Sequence, residues 1–138
     1  MSDVADIPDF TWPARVYWED TDAGGVVYYA NYLKFLERAR TEWLRSLGIS
    51  QIDLAVNHGV VFVVRRVEAD YLKPARFDDA LVITCRLLVT GRASLEIAQR
   101  VERDGESLLT ARVKAACVSS DAFRPVKIPL HILERFRK

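Results

Sequence analysis

The segment EDTDAGGVVYYANY, residues 19–32, gathers Glu19, Asp20 and Asp22, the adjacent Gly24 and Gly25, and Tyr28, Tyr29 and Tyr32. A strong helical pattern follows directly. Backbone N–H groups at a helix start lack acceptors and carry positive partial charge. A carboxylate a few residues upstream serves as a base or nucleophile while those amides steady a developing oxyanion, which is what acyl transfer needs. Gly24 and Gly25 put no side chain in a ligand's way and tolerate unusual dihedrals. Acids and glycines before a helix also act simply as caps and turn formers, and the spacing alone leaves both readings open.

Other chemistries find less support. His58 and His131 lie far apart in sequence, each in a loop-like context without a neighbouring nucleophile. No cysteine–histidine spacing suggests zinc, and no glycine-rich phosphate loop follows a strand, so neither a metal nor a bound cofactor is expected. Ser94, Ser119 and Ser120 lack a nucleophile-elbow motif. Cys85 and Cys117 fall in apolar, strand-like runs and read as buried free thiols.

The elements that must position residues 19–32 are readable from periodicity. Residues 1–13 read as a leader ending in the aromatic pair Phe10 and Trp12, and Arg15–Trp18 as a first strand. From about Ala30 to Leu47, Tyr32, Leu33, Phe35, Leu36, Ala39, Trp43, Leu44 and Leu47 recur at helical spacing. Asn31 is a candidate cap, and Gly48 a left-handed stop. From Val60 the period becomes two. Apolar faces run through Val67–Tyr71, Leu81–Val89, Leu95–Val101 and Leu109–Cys117, with hairpin signals at Thr90-Gly91-Arg92 and Asp104-Gly105. A short amphipathic segment, Leu130–Phe136, closes the chain. One long apolar helix followed by an antiparallel meander predicts an α+β domain with a curved sheet around the helix. Val82 and Leu88 on the outer face point to self-association.

The totals fit that plan. The chain has 138 residues, 50% hydrophobic and 28% charged, enough for one domain spanning 1–138. Twenty basic residues against 19 acidic ones give a net charge of +1, which disfavours a dedicated nucleic-acid binder. No apolar run approaches the roughly 20 residues of a transmembrane helix, and MSDVADIPDFTWP lacks a signal-peptide pattern. A cytoplasmic protein is the expectation.

RVYWEDTDAGGVVYYANYLKFLERARTEWLR, residues 15–45, closely resembles the signature of the 4-hydroxybenzoyl-CoA thioesterase family. The likeness is strongest to the bacterial acyl-CoA thioesterases associated with the Tol-Pal envelope system. It continues through VVRRVEADYLKPARFDD, residues 63–79, and GRASLEIAQRV, residues 91–101. The resemblance implies the hot-dog fold, a long central helix wrapped by a curved antiparallel sheet, assembled as a dimer or tetramer. It also implies hydrolysis of an acyl-CoA thioester, with acyl carrier protein a further possible partner. The second Asp of the D-x-D motif, here Asp22, matches the catalytic carboxylate, and the backbone N–H near Tyr29 matches the group that polarises the thioester carbonyl. Tol-Pal-associated members commonly carry His where this chain has Tyr29. Gly25, Tyr28, Tyr32, Arg76 and Arg92 are candidate substrate contacts; Phe35 is a candidate for the acyl pocket, and Lys73, Arg124 and Lys127 for the CoA phosphates. Two alternatives stand beside this one: a non-catalytic acyl-CoA or acyl-carrier-protein binder, and a hot-dog dehydratase, whose Asp–His pair this chain lacks.

Overall fold

A computed structural model describes residues 10–137. Five antiparallel strands form one sheet: β1 (Phe10–Arg15), β2 (Val60–Tyr71), β3 (Ala80–Thr90), β4 (Ser94–Arg103) and β5 (Glu106–Ser119). Their spatial order is β1-β3-β4-β5-β2, which leaves β1 and β2 as the edges. The expected first strand therefore lies earlier than Arg15–Trp18. Phe10–Arg15 pairs with β3, and Pro13 is tolerated because one side of an edge strand needs no ladder donor. Phe10 and Trp12 thus belong to the sheet rather than to a leader; residues 1–9 of that expected leader lie outside the described residues.

The long helix α1 (Tyr32–Ser46) buries Tyr32, Phe35, Leu36, Ala39, Trp43 and Leu44. These positions recur every three or four residues, so they form one stripe that the sheet covers. Facing them are Leu81, Ile83 and Cys85 of β3, Leu95, Ile97 and Val101 of β4, and Leu109, Ala111 and Cys117 of β5, all in one core. Leu33, assigned to the apolar arc by periodicity, is 44% exposed. Leu47 is the C-cap, and Gly48 at φ +79° ends the helix. The expected Asn31 cap does not form. Asn31 has helical dihedrals and turns its side chain elsewhere.

A second helix, α2 (Gln51–His58), was not foreseen, although its signals are present. The Ser50 side chain accepts from Asp53 N–H, and Gly59 at φ +65° closes the last turn. The C-terminal helix α3 (Leu130–Phe136) seats Phe136 against Trp43, ring centroids 5.5 Å apart.

Two irregularities re-phase the strands. Leu88 is inserted between the Leu87–Ile97 and Val89–Glu96 pairs, so Val89 turns outward, 45% exposed, instead of sharing the Leu81–Leu87 face. A matching shift at Arg65 bends β2. Cys85 and Cys117 are buried thiols outside any disulfide, as expected, and burial pushes the Cys117 thiol up.

Gln99 is a polar group inside the core. Gln99, 1% exposed, donates to the Leu36 carbonyl at 3.1 Å and to Cys85 Sγ at 3.2 Å, and accepts from Arg40 Nη1 at 3.0 Å. Desolvation lowers the Arg40 pKa, so that guanidinium depends on the Gln99 oxygen. At the site end of the sheet, Asp79 Oδ2 accepts from Arg76 N–H at 2.8 Å and Arg103 Nη1 at 2.7 Å. Burial raises the Asp79 pKa, but the Arg76 N–H and the Arg103 hydrogen bond and charge outweigh it, and the net shift is downward.

Gln99→Leu keeps the volume but strands Arg40. It should lower unfolding free energy by about 1–3 kcal/mol in urea melts, with little change in slope. Asp79 contributes stability above the unfolded carboxyl value of about 3.9, lost as pH falls through its lower folded value. The stability difference between wild type and Asp79→Asn should therefore hold from pH 7 to 5 and shrink below about 4. A difference constant down to pH 2 would count against that linkage.

Candidate active site

Residues 20–28 fold back as a small ribbon. Thr21 bridges Val27, Asp22 N–H donates to Val26 O at 2.9 Å, and Tyr28 N–H donates to Asp20 O at 3.0 Å. The tip is the four-residue turn Asp22-Ala23-Gly24-Gly25, closed by Gly25 N–H to Asp22 O at 3.0 Å. Gly25 has φ +79°, a region that costs an L-residue about 1–2 kcal/mol. Asp22 Oδ1 accepts from Gly24 N–H at 2.8 Å, which fixes the carboxylate within its own turn. Any Cβ on Gly24 would stand 3.3 Å from that same oxygen. Asp22 Oδ2 has no partner among the described residues, and the side chain is exposed.

Asp20 does a different job. It is 6% exposed and its carboxylate accepts from Tyr17 N–H at 2.8 Å and Asn31 Nδ2 at 2.9 Å. It therefore joins the turn after β1 to the start of the helix, and both its oxygens are engaged.

The other arm of the ribbon runs into the turn Tyr29–Asn31, which continues into α1. Asn31 N–H donates to Tyr28 O at 2.8 Å, while the Tyr29 and Ala30 N–H groups find no acceptor among the described residues. Val26, opposite Asp22, is three residues from Tyr29, roughly 10 Å at strand rise. A carboxylate side chain, a carbonyl group and two non-bonded contacts fill such a span.

The tyrosines pack around these amides. Tyr71, the last residue of β2, donates its hydroxyl to Tyr29 O at 2.8 Å. The Tyr28 and Tyr29 rings lie 4.9 Å apart and those of Tyr32 and Tyr71 5.5 Å apart. Ala75 N–H donates to Tyr32 Oη at 3.0 Å, and Val27 N–H to Ala75 O at 2.8 Å, so the loop 72–79 clasps both ribbon and helix. The phenol pKa is raised by the Tyr29 hydrogen bond and charge for Tyr28, and by burial for Tyr32 and Tyr71. These three side chains stay neutral near pH 7, and beside them Asp22 presents a carboxylate oxygen without a partner among the described residues.

The structure thus brings Asp22, Gly25, Tyr28, Tyr29, Tyr32 and Arg76 to one end of the sheet; Arg76 bridges Val26 through its backbone. Arg92 is not with them. It follows β3 at the far end, an 11-residue strand or about 35 Å away. Arg124 and Lys127 belong to that far end, where Arg124 N–H bonds Ser119 and Ile128 N–H bonds Arg92 O. Lys73 is at the near end, paired with Glu106. Phe35 is core. A cavity of about 170 Å³ opens between α1 and β2, lined by Arg40, Trp43, Phe62, Val64 and Ile97 among others, and Asp22 is not part of its wall. Sequence reading missed Tyr71, which had been only one apolar position of a strand, and the proximity of His58 to His131, 4.7 Å between rings but at the far end. Among the described residues no cluster of three or more His, Cys, Asp or Glu is placed to hold a metal, and no helix is long and apolar enough to cross a membrane.

Comparison with known proteins agrees with this architecture. The family model for the thioesterase superfamily matches residues 24–110. The acyl-CoA thioesterase YbgC of Haemophilus influenzae is 42% identical over 127 residues, covering 92% of this chain and 93% of that protein. The acyl-CoA thioester hydrolase YbgC of Escherichia coli is 44% identical over 130 residues, covering 94% and 96%. Among solved structures, a probable thioesterase from Bartonella henselae superposes with TM-score 0.84 at 36% identity, covering 88% of this chain and all of that one. A 4-hydroxybenzoyl-CoA thioesterase complexed with 4-hydroxybenzoyl-CoA gives 0.86 over 92% of this chain and 97% of that one; at 22% identity it speaks for the fold alone. The fold is the hot dog, and the chain belongs to the thioesterase superfamily.

Proposed function

We propose that this protein hydrolyses an acyl-CoA thioester to a free carboxylic acid and CoA. The observation that carries the reading is the presence of a carboxylate held through one oxygen, Asp22, and the unpaired amides of Tyr29 and Ala30 on the two arms of one ribbon. The thioester oxygen rests against those amides while Asp22 Oδ2 faces the carbonyl carbon. Asp22 either attacks, forming an anhydride that water opens, or takes a proton from the attacking water. In both routes the C–S bond breaks, the acyl group gains hydroxyl from water, and the thiolate leaves with a proton. The names of relatives at 42% and 44% identity favour this chemistry. Gly25 keeps the approach open, Tyr28 and Tyr32 border the acyl group, and Arg76 meets CoA phosphate. The same pantetheine thioester on an acyl carrier protein offers an equivalent reacting group.

Asp22 is exposed in one protomer, so the proposal includes a homo-oligomer, a dimer or tetramer. β2 is a 12-residue edge strand, apolar over residues 60–64 and carrying charges of both signs beyond, with Val64 46% and Val67 36% exposed, an unpaired edge long enough to pair with another chain. Tyr71 at its end touches Tyr29, so a partner along β2 would border the site. Antiparallel pairing of two β2 edges turns the second sheet end for end. That would carry one copy's Arg92 end toward the other's Asp22 end, the only way Arg92 enters this mechanism. The cytoplasm and an association with the Tol-Pal envelope system complete the proposal, on the resemblance of residues 15–45.

Asp22→Asn keeps an oxygen for Gly24 N–H while removing the charge. Thiol release from short-chain, long-chain and aromatic CoA esters should fall by roughly 10²–10⁴ in kcat, with binding retained. A loss under about tenfold would reject Asp22 as the catalytic group. Sedimentation should give a multiple of the 15.7 kDa protomer; a monomer at assay concentration would overturn the oligomeric site.

A further inference from the structure

Beside the ribbon lies an aromatic pair that the hydrolysis chemistry does not use. The Trp18 indole and the Phe77 ring are stacked with centroids 3.6 Å apart and planes 8° from parallel. Phe77 occupies one face of the indole, yet Trp18 remains 68% exposed, so its other face is open to water. The pair is held rather than loose. Trp18 sits in a short helical turn closed by Asp20 N–H to Tyr17 O at 3.0 Å, and its own carbonyl accepts from Thr21 N–H at 3.1 Å and Thr21 Oγ1 at 2.7 Å. Phe77 lies in the turn 76–79, tied back by Asp78 N–H to Val16 O at 2.9 Å and by Asp79 N–H to Arg76 O at 3.1 Å. Neither ring needs ordering before a planar group stacks on it, and such preorganisation favours binding.

The charges around the pair narrow the choice of occupant. Arg15 is committed to Asp78, donating to its carbonyl at 2.8 Å with the carboxylate 3.8 Å away. Arg103 is committed to Asp79, and Lys73 to Glu106. The Arg76 guanidinium has no hydrogen bond or ion pair among the described residues, though its charge helps lower the Asp79 pKa, and the residue lies one position before Phe77 with its backbone bridged to Val26 of the ribbon. From ribbon to turn the backbone order is Asp22, then Arg76 with no hydrogen bond or ion pair on its guanidinium, then the open aromatic face of the Phe77–Trp18 pair. An acyl-CoA offers, in the same order, a thioester, phosphates and a planar base.

We infer that the open face of Trp18, backed by Phe77, is the stacking platform for the adenine of CoA, with Arg76 between it and Asp22 as the phosphate contact. The inference rests on the acyl-CoA reading. A platform of this kind acts on KM and leaves kcat alone, because the base is remote from the reacting bond.

The test compares wild type, Trp18→Ala and Trp18→Phe on a CoA ester and on the N-acetylcysteamine thioester of the same acyl group, which lacks the nucleotide. For the CoA ester Trp18→Ala should raise KM roughly 5- to 100-fold, about 1–3 kcal/mol at 1.4 kcal/mol per decade, with kcat within twofold. Trp18→Phe should recover most of the loss, and neither variant should change the truncated ester. Equal losses on both esters, unchanged KM for CoA, or a change in assembly mass with unchanged nucleotide binding would overturn the platform, the last marking Trp18 as a subunit contact. Calorimetry with adenosine 3′,5′-bisphosphate reads the platform without turnover. Binding weakened by Trp18→Ala upholds it even if no thioester is hydrolysed, an outcome that would reject only the hydrolase reading.

Discussion

A buried carboxylate organises the functional end of this protein. Asp20 has only 6% of its surface exposed, and burying a charge is tolerated only when hydrogen bonds replace the lost water. Its partners come from both sides of the ribbon: Tyr17 N–H from the turn after β1, and Asn31 Nδ2 from the entry to α1. Its own carbonyl takes Tyr28 N–H. One residue therefore fixes where the ribbon leaves the sheet, how its arms face each other and where the helix begins. The unpaired Tyr29 and Ala30 amides follow from that geometry, since a helix entered through a tight turn leaves its first donors without acceptors.

Around this anchor the rest of the site is assembled by segments distant in sequence. The loop 72–79 reaches across to bond Val27 and Tyr32, and is held from below by Arg103 through Asp79. Tyr71 adds a hydroxyl to Tyr29 O from the end of β2. Beneath, the long apolar stripe of α1 lies on the sheet, with Gln99 supplying a polar register mark in that interface through Leu36, Cys85 and Arg40. Exposed ion pairs such as Arg45–Glu42 contribute little by comparison.

Local patterns in the sequence carried α1, the meander and its hairpins well, because each depends on residues a few positions apart: the stripe from Tyr32 to Leu44, the alternation in β4 and β5, and the turn at Asp104-Gly105. What escaped depends on contacts across the fold. The inserted Leu88 breaks alternation only because β4 sets the register opposite it. Asn31 looked like a cap, yet buried Asp20 is the stronger attraction for its amide. Arg76 and Arg92 looked equivalent as surface cations, yet the single strand β3 that runs between them puts them at opposite ends of the sheet. The α2 helix is the exception, since Ser50, Asp53 and Gly59 spell both of its ends. At the site, the residue types of 19–32 pointed to the ribbon, while the different duties of Asp20 and Asp22 emerged only with burial.

The Asp22–Gly24 hydrogen bond spans two residues, and the ribbon carrying it is fastened to the helix entry by Asp20. Orientation of the Asp22 carboxylate is thus settled by chain-local bonds rather than by the packing of the interior between helix and sheet. Interior side chains such as Ile97 or Leu109 are free to drift in evolution, resizing the space around α1, without re-aiming the acid. A lineage built on this scaffold would diversify what it accepts far more readily than how it reacts.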